Sequence, residues 1–302
     1  MVHQNTIKYL LKFGGPKKIC NALIFYVYDS IKKRNLDLSQ EKIIKVNNYK
    51  MKTISNDTGI SAELLIYGNH EPLTTGIILD ELSEGMTCID IGSNIGYYAL
   101  LEGSKIGEKG IVFAIEPSPE NFSTLIYNTK LQQNHNIHTF NFAIGDKNSE
   151  IEFLIGKKSN WSKVKDENDI IKSEDKIIKV PVKTLDSFVK DNQIEKIDLL
   201  RMDVEGYENN IINGATEVLI KFKPKIMVEI HKSIMGKKNT REILKKLKTL
   251  NYENKFYIPR IFDSQIIGNK KDIKKYSISN LIKKLENNEL PDTFQITLES
   301  TS

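Results

Sequence analysis

Short apolar segments alternate with segments of helical periodicity from about residue 76 to residue 230. The short segments have the length of buried strands; they are residues 87–91, 111–115, 136–142, 197–202 and 225–230. Residues 95–104 are apolar enough for a buried helix. A second helix starts at Ser118 and Pro119, a capping residue and a residue favoured in the first turn. This alternation predicts a doubly wound α/β sheet of parallel strands.

The remaining parts of the chain carry weaker periodicity. Residues 1–50 are predicted as a helical lead-in, and residues 51–67 as a hairpin that turns at Asp57-Thr58-Gly59. Residues 157–179 are rich in charge, which indicates a mobile surface loop, and this loop contains the single tryptophan, Trp161. We therefore expect a helical and hairpin lead-in over 1–65, a central α/β domain over 66–262 and a lysine-rich, partly helical C-terminal extension over 263–302.

The longest apolar run near the start, residues 19–28, is flanked by Lys17-Lys18 and by Lys32-Lys33-Arg34. It is too short to span a bilayer, and it lacks the small-residue cleavage site of a signal peptide. We favour a helix packed on the core. A helix that lies on a membrane surface, with its lysines reaching phospholipid, stays open as the alternative.

The composition limits the class of protein only broadly. The chain has 302 residues, of which 39% are hydrophobic and 27% are charged, and its net charge is +5. We therefore expect a globular protein with a substantial core, and this charge does not argue for binding of nucleic acid. Cys20 and Cys88 are too far apart for a metal or redox motif. We expect a cytoplasmic protein, at most peripheral at the inner membrane face, and its oligomeric state stays open.

The stretch CIDIGSNIGYY, which starts at residue 88, joins a predicted strand to a predicted helix through a turn with Gly92 and Gly96. Such a turn seats a nucleotide at the carboxyl end of a sheet. A dinucleotide fingerprint has its second glycine at the position of Asn94. Asp90, just before the turn, would repel a diphosphate and would attract the positive charges of S-adenosylmethionine.

Glu116 ends the next predicted strand, where its carboxylate can accept hydrogen bonds from both hydroxyls of a ribose. Sites for NAD share this feature, so it supports a nucleoside cofactor without choosing one. The choice of S-adenosylmethionine over a nicotinamide cofactor therefore depends on Asp90 and Asn94.

Together these segments resemble the FkbM family of S-adenosylmethionine-dependent methyltransferases, over roughly residues 65–260. The resemblance is carried by the order and spacing of YGNHEPLTTGIILDEL, CIDIGSNIGYYALL, VFAIEPSPENFSTL, NFAIGDKNSEIEF, VPVKTLDSFV, IDLLRMDVEGYENNIINGATEVL and KPKIMVEIH. Two positions depart from the usual residues of the family: Arg201, where lysine is more common, and Ser93, where alanine is. The resemblance implies a Rossmann-like, seven-stranded methyltransferase sheet whose last strand is antiparallel. It also implies methyl transfer to an oxygen, commonly of a sugar or a polyketide-type product.

By position, the resemblance implies that the glycine turn lies along the methionine part of the cofactor and that Glu116 binds the ribose. It further implies that Asp146 lies near adenine and can accept from its amino group. Glu71, in the approach to the pocket, is a further candidate contact, and the alternative for it is an ordinary surface acid. The full expected set of cofactor-binding residues is Glu71, Asp90, Gly92, Ser93, Asn94, Gly96, Glu116, Pro117, Ala143, Ile144, Asp146 and Asp203.

Acid and base candidates stand at two adjacent predicted strand ends: Asp203 and Glu205 in RMDVEGYE, and Glu229 and His231 in VEIH. An alkyl hydroxyl is a poor nucleophile that benefits from a base, and a histidine titrates near neutrality. We therefore predict His231 as the base. Glu229 would orient its imidazole, because residues two apart on a strand share a side. Asp203 would hold the acceptor hydroxyl or lie against the charged end of the cofactor.

Several alternatives stay open. Two carboxylates and an imidazole can hold a divalent metal, but no spacing here defines a coordination set, and we predict no metal site. Lysine pairs in the C-terminal part leave an RNA methyltransferase as one alternative, although interspersed acids argue against it. A catalytically inactive nucleoside-binding module is another. The favoured prediction is an S-adenosylmethionine-dependent O-methyltransferase that acts on a hydroxyl of a sugar, a glycan or a related small molecule.

Overall fold

The computed structural model describes residues 8–132, 136–156, 159–165, 176–264 and 267–301. Its strands, in chain order, are β1 Ile43–Val46, β2 Tyr49–Lys52, β3 Thr87–Ile91, β4 Ile111–Ile115, β5 Ile137–Phe140, β6 Ala143–Gly145, β7 Ser149–Ile155, β8 Lys163–Val164, β9 Lys176–Thr184, β10 Leu199–Met202, β11 Lys225–His231, β12 Tyr252–Pro259 and β13 Thr293–Ser300. Its α-helices are α1 Gly15–Arg34, α2 Ile60–Tyr67, α3 Pro72–Glu81, α4 Tyr97–Ile106, α5 Pro119–Lys130, α6 Leu185–Asp191, α7 Glu208–Asn213, α8 Thr216–Phe222, α9 Lys232–Thr249 and α10 Ile278–Glu286.

Seven strands form one central sheet in the spatial order β12-β13-β11-β10-β3-β4-β5. The five strands from β11 to β5 are parallel, and β13 lies antiparallel between β11 and β12. The predicted doubly wound sheet and its antiparallel last strand are confirmed. All of β10 and all of β3 except its first residue are buried, as expected for central strands with helices on both faces.

Two layers of helices cover the sheet, because successive residues of a strand point to opposite faces. In β3, Ile89 and Ile91 belong to the core formed with α6–α10, whereas Cys88 packs with α2–α5. In β11, Val228 likewise belongs to the core with α6–α10, and Met227 to the core with α2–α5. Within each strand, side chains two residues apart therefore lie on the same face. Because the parallel strands end at one edge of the sheet, polar residues at the ends of neighbouring strands come close together.

The strand order reverses between β3 and β10: the chain proceeds from β3 to β4 and β5 on one side and later adds β10 and β11 on the other. In sheets of this kind, ligands bind at the carboxyl ends of the strands at this point. Gly92 follows β3 with a φ of +82°, and a Cβ added to it would collide with the carbonyl oxygen of Asp203. Glycine is therefore required where the turns after β3 and β10 meet.

The predicted start of the second helix is found, whereas the first helix begins at Tyr97, two residues later than predicted. The Ser118 side chain accepts a hydrogen bond from the N–H of Asn121 at 3.5 Å, and Pro119 is the first residue of α5. Gly96, with a φ of +93°, precedes α4, and a Cβ there would lie 2.7 Å from Cδ1 of Leu125. Gly96 therefore serves the close packing of α4 against α5.

The hairpin near the N-terminus lies earlier in the chain than predicted. β1 and β2 pair through a turn at Asn47, whereas Ile60–Tyr67 forms α2. The Asp57 carboxylate accepts from the N–H groups of Gly59 at 2.8 Å and Ser61 at 2.9 Å, so it satisfies donors at the start of a helix. The chain does turn at this position, but the predicted hairpin is wrong: the turn leads into a helix, and an aspartate before a glycine is compatible with both structures.

A second sheet, in the order β6-β9-β7-β8, is formed by strands within residues 143–184. β8 and the start of β9 fall within residues 157–179, which we predicted as a mobile loop, so these parts of the prediction are wrong. The apolar residues of this second sheet, among them Phe153, Val180 and Val182, make a small separate core. Residues 157–158 and 166–175 of the predicted loop lie outside the described residues.

The C-terminal segment contributes to the central sheet. β13 lies between β11 and β12, so a boundary at residue 262 separates this strand from the sheet that it completes. α10 is helical as predicted, with Leu281 and Leu285 buried.

The N-terminal helix α1 packs through one narrow face. Ala22 is buried in a small cluster with Leu10, Phe262 and Ile267. The predicted helix over residues 19–28 is confirmed, although only part of its surface packs on the core. Within the described ranges, the protein has no helix with the length and apolarity needed to cross a bilayer.

Candidate active site

A cavity of about 890 Å³ lies at the carboxyl ends of β3, β4, β10 and β11, a size suited to a cofactor with a small acceptor. Of the predicted site residues, those that line it are Glu71, Gly92, Ser93, Asn94, Glu116, Pro117, Ala143, Ile144, Asp203, Glu229 and His231. Asp90, Gly96 and Asp146 do not line it. The fold therefore brings most of the predicted set to one place.

Glu116 follows β4 and is fixed by two backbone donors. Its Oε2 accepts from the N–H of Asn94 at 2.9 Å, and its Oε1 accepts from the N–H of Ser118 at 2.8 Å. Burial raises the pKa of this carboxyl to about 7, and the two backbone hydrogen bonds oppose the rise. Each oxygen keeps a further lone pair, so the carboxylate can still accept from hydroxyls of a ligand.

Asp90 is completely buried beneath the turn, and its Oδ1 accepts from Nη1 of Arg201 at 2.9 Å. Arg201 also donates from Nη2 to Oδ2 of Asp203 at 3.2 Å, and its guanidinium lies 3.7 Å from the ring centre of Tyr98. The predicted contact between Asp90 and the cofactor is therefore not supported, because Asp90 does not line the cavity and its carboxylate is neutralised by Arg201, which does. Asp203 is the acid of this group that reaches the cavity.

Two other predicted contacts are not supported by the structure. Gly96 is used in helix packing, as described above. Asp146 is exposed just after β6 and outside the cavity, so it is poorly placed to accept from adenine. Ala143 and Ile144, which precede it, do line the cavity wall.

His231, the last residue of β11, has its two ring nitrogens in different surroundings. Nδ1 lies 2.7 Å from Oε1 of Glu208, a completely buried residue of α7. Nε2 lies 3.4 Å from Oε2 of Glu205 and 3.9 Å from both Oδ1 of Asp203 and Oε2 of Glu229. The orienting carboxylate is therefore Glu208. The predicted role of Glu229 is wrong, because Glu229 pairs through Oε1 with Nε of Arg260 at 3.2 Å.

The charges around His231 shift several pKa values. Burial by itself would lower the pKa of His231, but the carboxylates of Glu205 and Glu208 hold it well above its ordinary value. Burial raises the pKa of Glu205 to about 7, against the influence of His231. Burial and the charge of Asp203 raise the pKa of Glu229 well above its ordinary value. Glu205 can therefore accept or release a proton near neutral pH, next to the imidazole of His231.

Glu71 is a buried member of the site. It accepts from the hydroxyl of Tyr98 at 2.7 Å, and it pairs with Nη2 of Arg260 at 2.9 Å and with Nε2 of His70 at 3.2 Å. Burial would raise the pKa of Glu71, but Arg260 and His70 hold it well below its ordinary value. The alternative of an ordinary surface acid is wrong, and Glu71 joins the Arg201 and Arg260 sides of the cavity through Tyr98.

The sequence profile of the Methyltransferase FkbM domain matches residues 90–254, more than half of the chain. The matched segment contains the glycine turn, Glu116, Asp203 and His231. The protein belongs to the FkbM methyltransferase family. Its cofactor is S-adenosylmethionine.

Two curated relatives are similar over part of this FkbM-family chain. The hexuronic acid methyltransferase AglP of Haloferax volcanii is 27% identical over 195 residues, which are 61% of this chain and 74% of AglP. Methyltransferase 1 of Beauveria bassiana is 25% identical over 158 residues, which are 47% of this chain and 63% of that protein.

Among solved structures, an FkbM methyltransferase from Methylobacillus flagellatus aligns with a TM-score of 0.42 and 16% identity. The alignment covers 58% of this chain and 40% of that one. Fibrillarin from Methanococcus jannaschii aligns with a TM-score of 0.43 and 14% identity, over 88% of this chain and 85% of that one.

The residues of the cavity fit S-adenosylmethionine. The cofactor carries two ribose hydroxyls, and these can donate hydrogen bonds to the anchored carboxylate of Glu116. It also carries an ammonium and a sulfonium, which suit a wall with acids such as Asp203 and Glu205. Ala143 and Ile144 supply an apolar wall on which the adenine ring can pack. These individual contacts stay predictions.

Two groups of side chains in the described residues have the geometry to hold a cation: Asp203 with Glu205 and His231, and Glu71 with Asp203 and Glu229. Within each group, one ligand atom per residue lies within 4.8 Å of the others. In the second group, Arg260 and Arg201 already balance the carboxylates. The first group is therefore the better candidate for a divalent ion.

Sequence reasoning missed several residues that shape this site. Glu208 stands in the quoted segment RMDVEGYE, but Glu205 precedes α7 with a φ of +52°, so no helical periodicity pointed to Glu208. Tyr98 stands in the quoted glycine-turn segment, where an aromatic residue reads as ordinary core. Arg260 has no local signal, because only the fold brings it to Glu71 and Glu229.

Proposed function

We propose that this methyltransferase transfers the methyl group of S-adenosylmethionine to a hydroxyl of a sugar or glycan, with His231 accepting the proton of that hydroxyl. The observation that carries the proposal is the hydrogen bond between Nδ1 of His231 and Glu208 at 2.7 Å. With Nδ1 engaged, Nε2 faces the cavity as the atom that can take a proton.

Bound S-adenosylmethionine supplies an electrophilic methyl group, so the protein has to align the acceptor and remove one proton. Nε2 of His231 accepts this proton, and the Glu208 carboxylate stabilises the imidazolium. Oδ2 of Asp203 is held by Arg201, which leaves Oδ1 to accept from the acceptor hydroxyl. Glu205, 3.4 Å from Nε2, can relay the proton onward after transfer.

A sugar acceptor is supported by two observations. The relative AglP is named as a hexuronic acid methyltransferase. Trp161, in a single turn between β7 and β8, lines the cavity and is 53% exposed, and an aromatic face of this kind can pack on a sugar ring. Trp161→Ala should raise the KM for the acceptor and leave the affinity for the cofactor unchanged.

Three basic residues of the C-terminal part are already engaged by acids, which argues against an RNA acceptor. Lys237 and Arg241 pair with Glu286 at 3.4 Å and 2.5 Å, and Lys284 pairs with Glu289 at 3.3 Å. These pairs reduce the positive charge that phosphate contacts would need.

The test is incubation of the protein with methyl-labelled S-adenosylmethionine and a panel of hexuronic acids, neutral glycans and RNA, followed by nuclear magnetic resonance of the labelled product. We expect a methyl ether on a sugar hydroxyl. A label on nitrogen, on carbon or on RNA alone would contradict the proposal.

A further inference from the structure

The outer side of α1 carries large apolar side chains in solvent. Leu23, Ile24, Val27 and Ile31 are 63%, 59%, 60% and 55% exposed. At about 100° per residue, these four positions fall within about 100° of the helix circumference, so they form one continuous stripe. We call these four residues the α1 stripe.

The orientation of α1 is set by its opposite side. Asp29 accepts from the Tyr67 hydroxyl at 3.1 Å and pairs with Lys33 at 3.0 Å, and Ala22 is buried. The inner side already packs Ile19, Phe25 and Tyr26 with Ala22, so the helix carries a second apolar face that nothing in the described residues covers, unlike an ordinary surface helix. A contiguous exposed apolar surface of this kind marks a binding surface.

The charges beside the stripe indicate what covers it. α1 contains five basic residues and a single acid. Lys17, Lys32 and Arg34 are exposed, and Arg34 falls within the arc of the stripe, with Lys17 at its border. The acid, Asp29, lies on the inner side. An exposed apolar face bordered by basic residues is the pattern of a helix that lies in a membrane interface.

We propose that the α1 stripe docks on the surface of a membrane that contains anionic lipids. The stripe would enter the headgroup region, and Lys17 and Arg34 would contact lipid phosphates. A second copy of the chain fits less well. In a symmetric pair over this face, the basic ends of the two helices would meet each other in either orientation, with like charges in contact.

The inner side of α1 gives this docking a consequence for the site. Phe25, Tyr26 and Asp29 line the cavity, so docking places the cavity beside the lipid headgroups. A lipid-linked acceptor would then have a short path to the site. This consequence depends on the proposed function, whereas vesicle binding is measured without cofactor or acceptor and tests the docking alone.

The experiment is cosedimentation of the protein with vesicles of phosphatidylcholine containing about one third phosphatidylserine, and with vesicles of phosphatidylcholine alone. We expect the protein to bind the anionic vesicles, and to bind the neutral vesicles more weakly. Val27→Asp combined with Ile31→Asp should lower the partition coefficient by about tenfold or more. Lys17→Glu combined with Arg34→Glu should lower it only for the anionic vesicles.

The matched control is Ile220→Asp, which places the same charge at a 58% exposed isoleucine of α8 and should leave binding unchanged. Circular dichroism and cofactor affinity confirm that each variant is folded. Absence of wild-type binding to either vesicle would overturn the proposal, as would equal loss in the control. A wild-type dimer that dissociates in the Val27 and Ile31 variant would assign the stripe to a second copy instead.

Discussion

Glu208 controls how His231 is presented to the cavity. It has no exposure to solvent, and its Oε1 lies 2.7 Å from Nδ1 of His231 and also accepts from the N–H of Gly206 at 3.1 Å. Such a carboxylate fixes the ring orientation and the tautomer, and it stabilises the imidazolium. Glu208 is thus a positioning residue, since it acts on the acceptor only through His231.

Replacing Glu208 by Gln should lower kcat by about tenfold or more, because the ring loses the partner that orients it. The turnover should also change with pH in a defined direction. The neutral form of His231 is needed, so activity rises with pH through a pKa above the ordinary value of this group. Without the Glu208 charge that pKa falls, and the acidic limb of the kcat profile moves to lower pH. The exposed Glu217→Gln is the control and should change neither quantity.

Replacing Glu116 by Gln should weaken S-adenosylmethionine binding by about ten- to a hundredfold, because a charge-assisted hydrogen bond contributes roughly 1.5–3 kcal/mol. Isothermal titration calorimetry measures the change. Asp146→Asn is the matched control, since this residue lies outside the cavity and its substitution should have little effect. A stronger effect at Asp146 than at Glu116 would reverse our assignment of the two acids.

Among the elements, β3 and β10 are joined by an ion pair as well as by their ladder. Arg201 stands opposite Asp90 in the parallel register, and both side chains are buried. Within a sheet, such a pair connects the strand that carries the glycine turn to the strand that carries Asp203. Removing one partner leaves the other buried with less compensation.

Asp90→Ala should therefore lower the free energy of unfolding by about 3–5 kcal/mol. Urea denaturation followed by circular dichroism measures this loss. Glu84→Ala removes a surface acid that pairs with the exposed Lys109, and it should leave the unfolding midpoint nearly unchanged. Equal midpoints for the two variants would show that the buried pair does not hold the strands together.

The elements that could be predicted from the sequence are those with local signals. β3 and β4 match the prediction residue for residue, since buried parallel strands read as short apolar runs. The start of α5 was readable because Ser118 is a capping residue and Pro119 is favoured in the first turn. The position of β13 could not be read from local signals, because its place between β11 and β12 depends on pairing with strands distant in sequence. The hairpin was misplaced because Asp57 can start either a turn or a helix.

For the whole molecule, the site is an assembly of distant segments. The glycine turn, Glu116, Asp203 and His231 were predictable together, because parallel strands end at the same edge of the sheet. Arg260 and Glu71 meet at 2.9 Å although they lie far apart in the chain, and no periodicity predicts that contact. Trp161 and the second sheet likewise reach the cavity through tertiary packing. The family, the fold and the cofactor were thus accessible from sequence, whereas the detailed charge network required the structure.

The most direct test of the account is the turnover of His231→Ala, compared with wild type at saturating cofactor and acceptor, together with its affinity for S-adenosylmethionine. We predict a loss of kcat of about a hundredfold or more, the scale of a lost general base, with cofactor affinity nearly unchanged. Wild-type turnover in this variant would contradict the account. If that turnover were then abolished by a chelator and restored by a divalent ion, the site would be metal-dependent, with Asp203 and Glu205 as ligands.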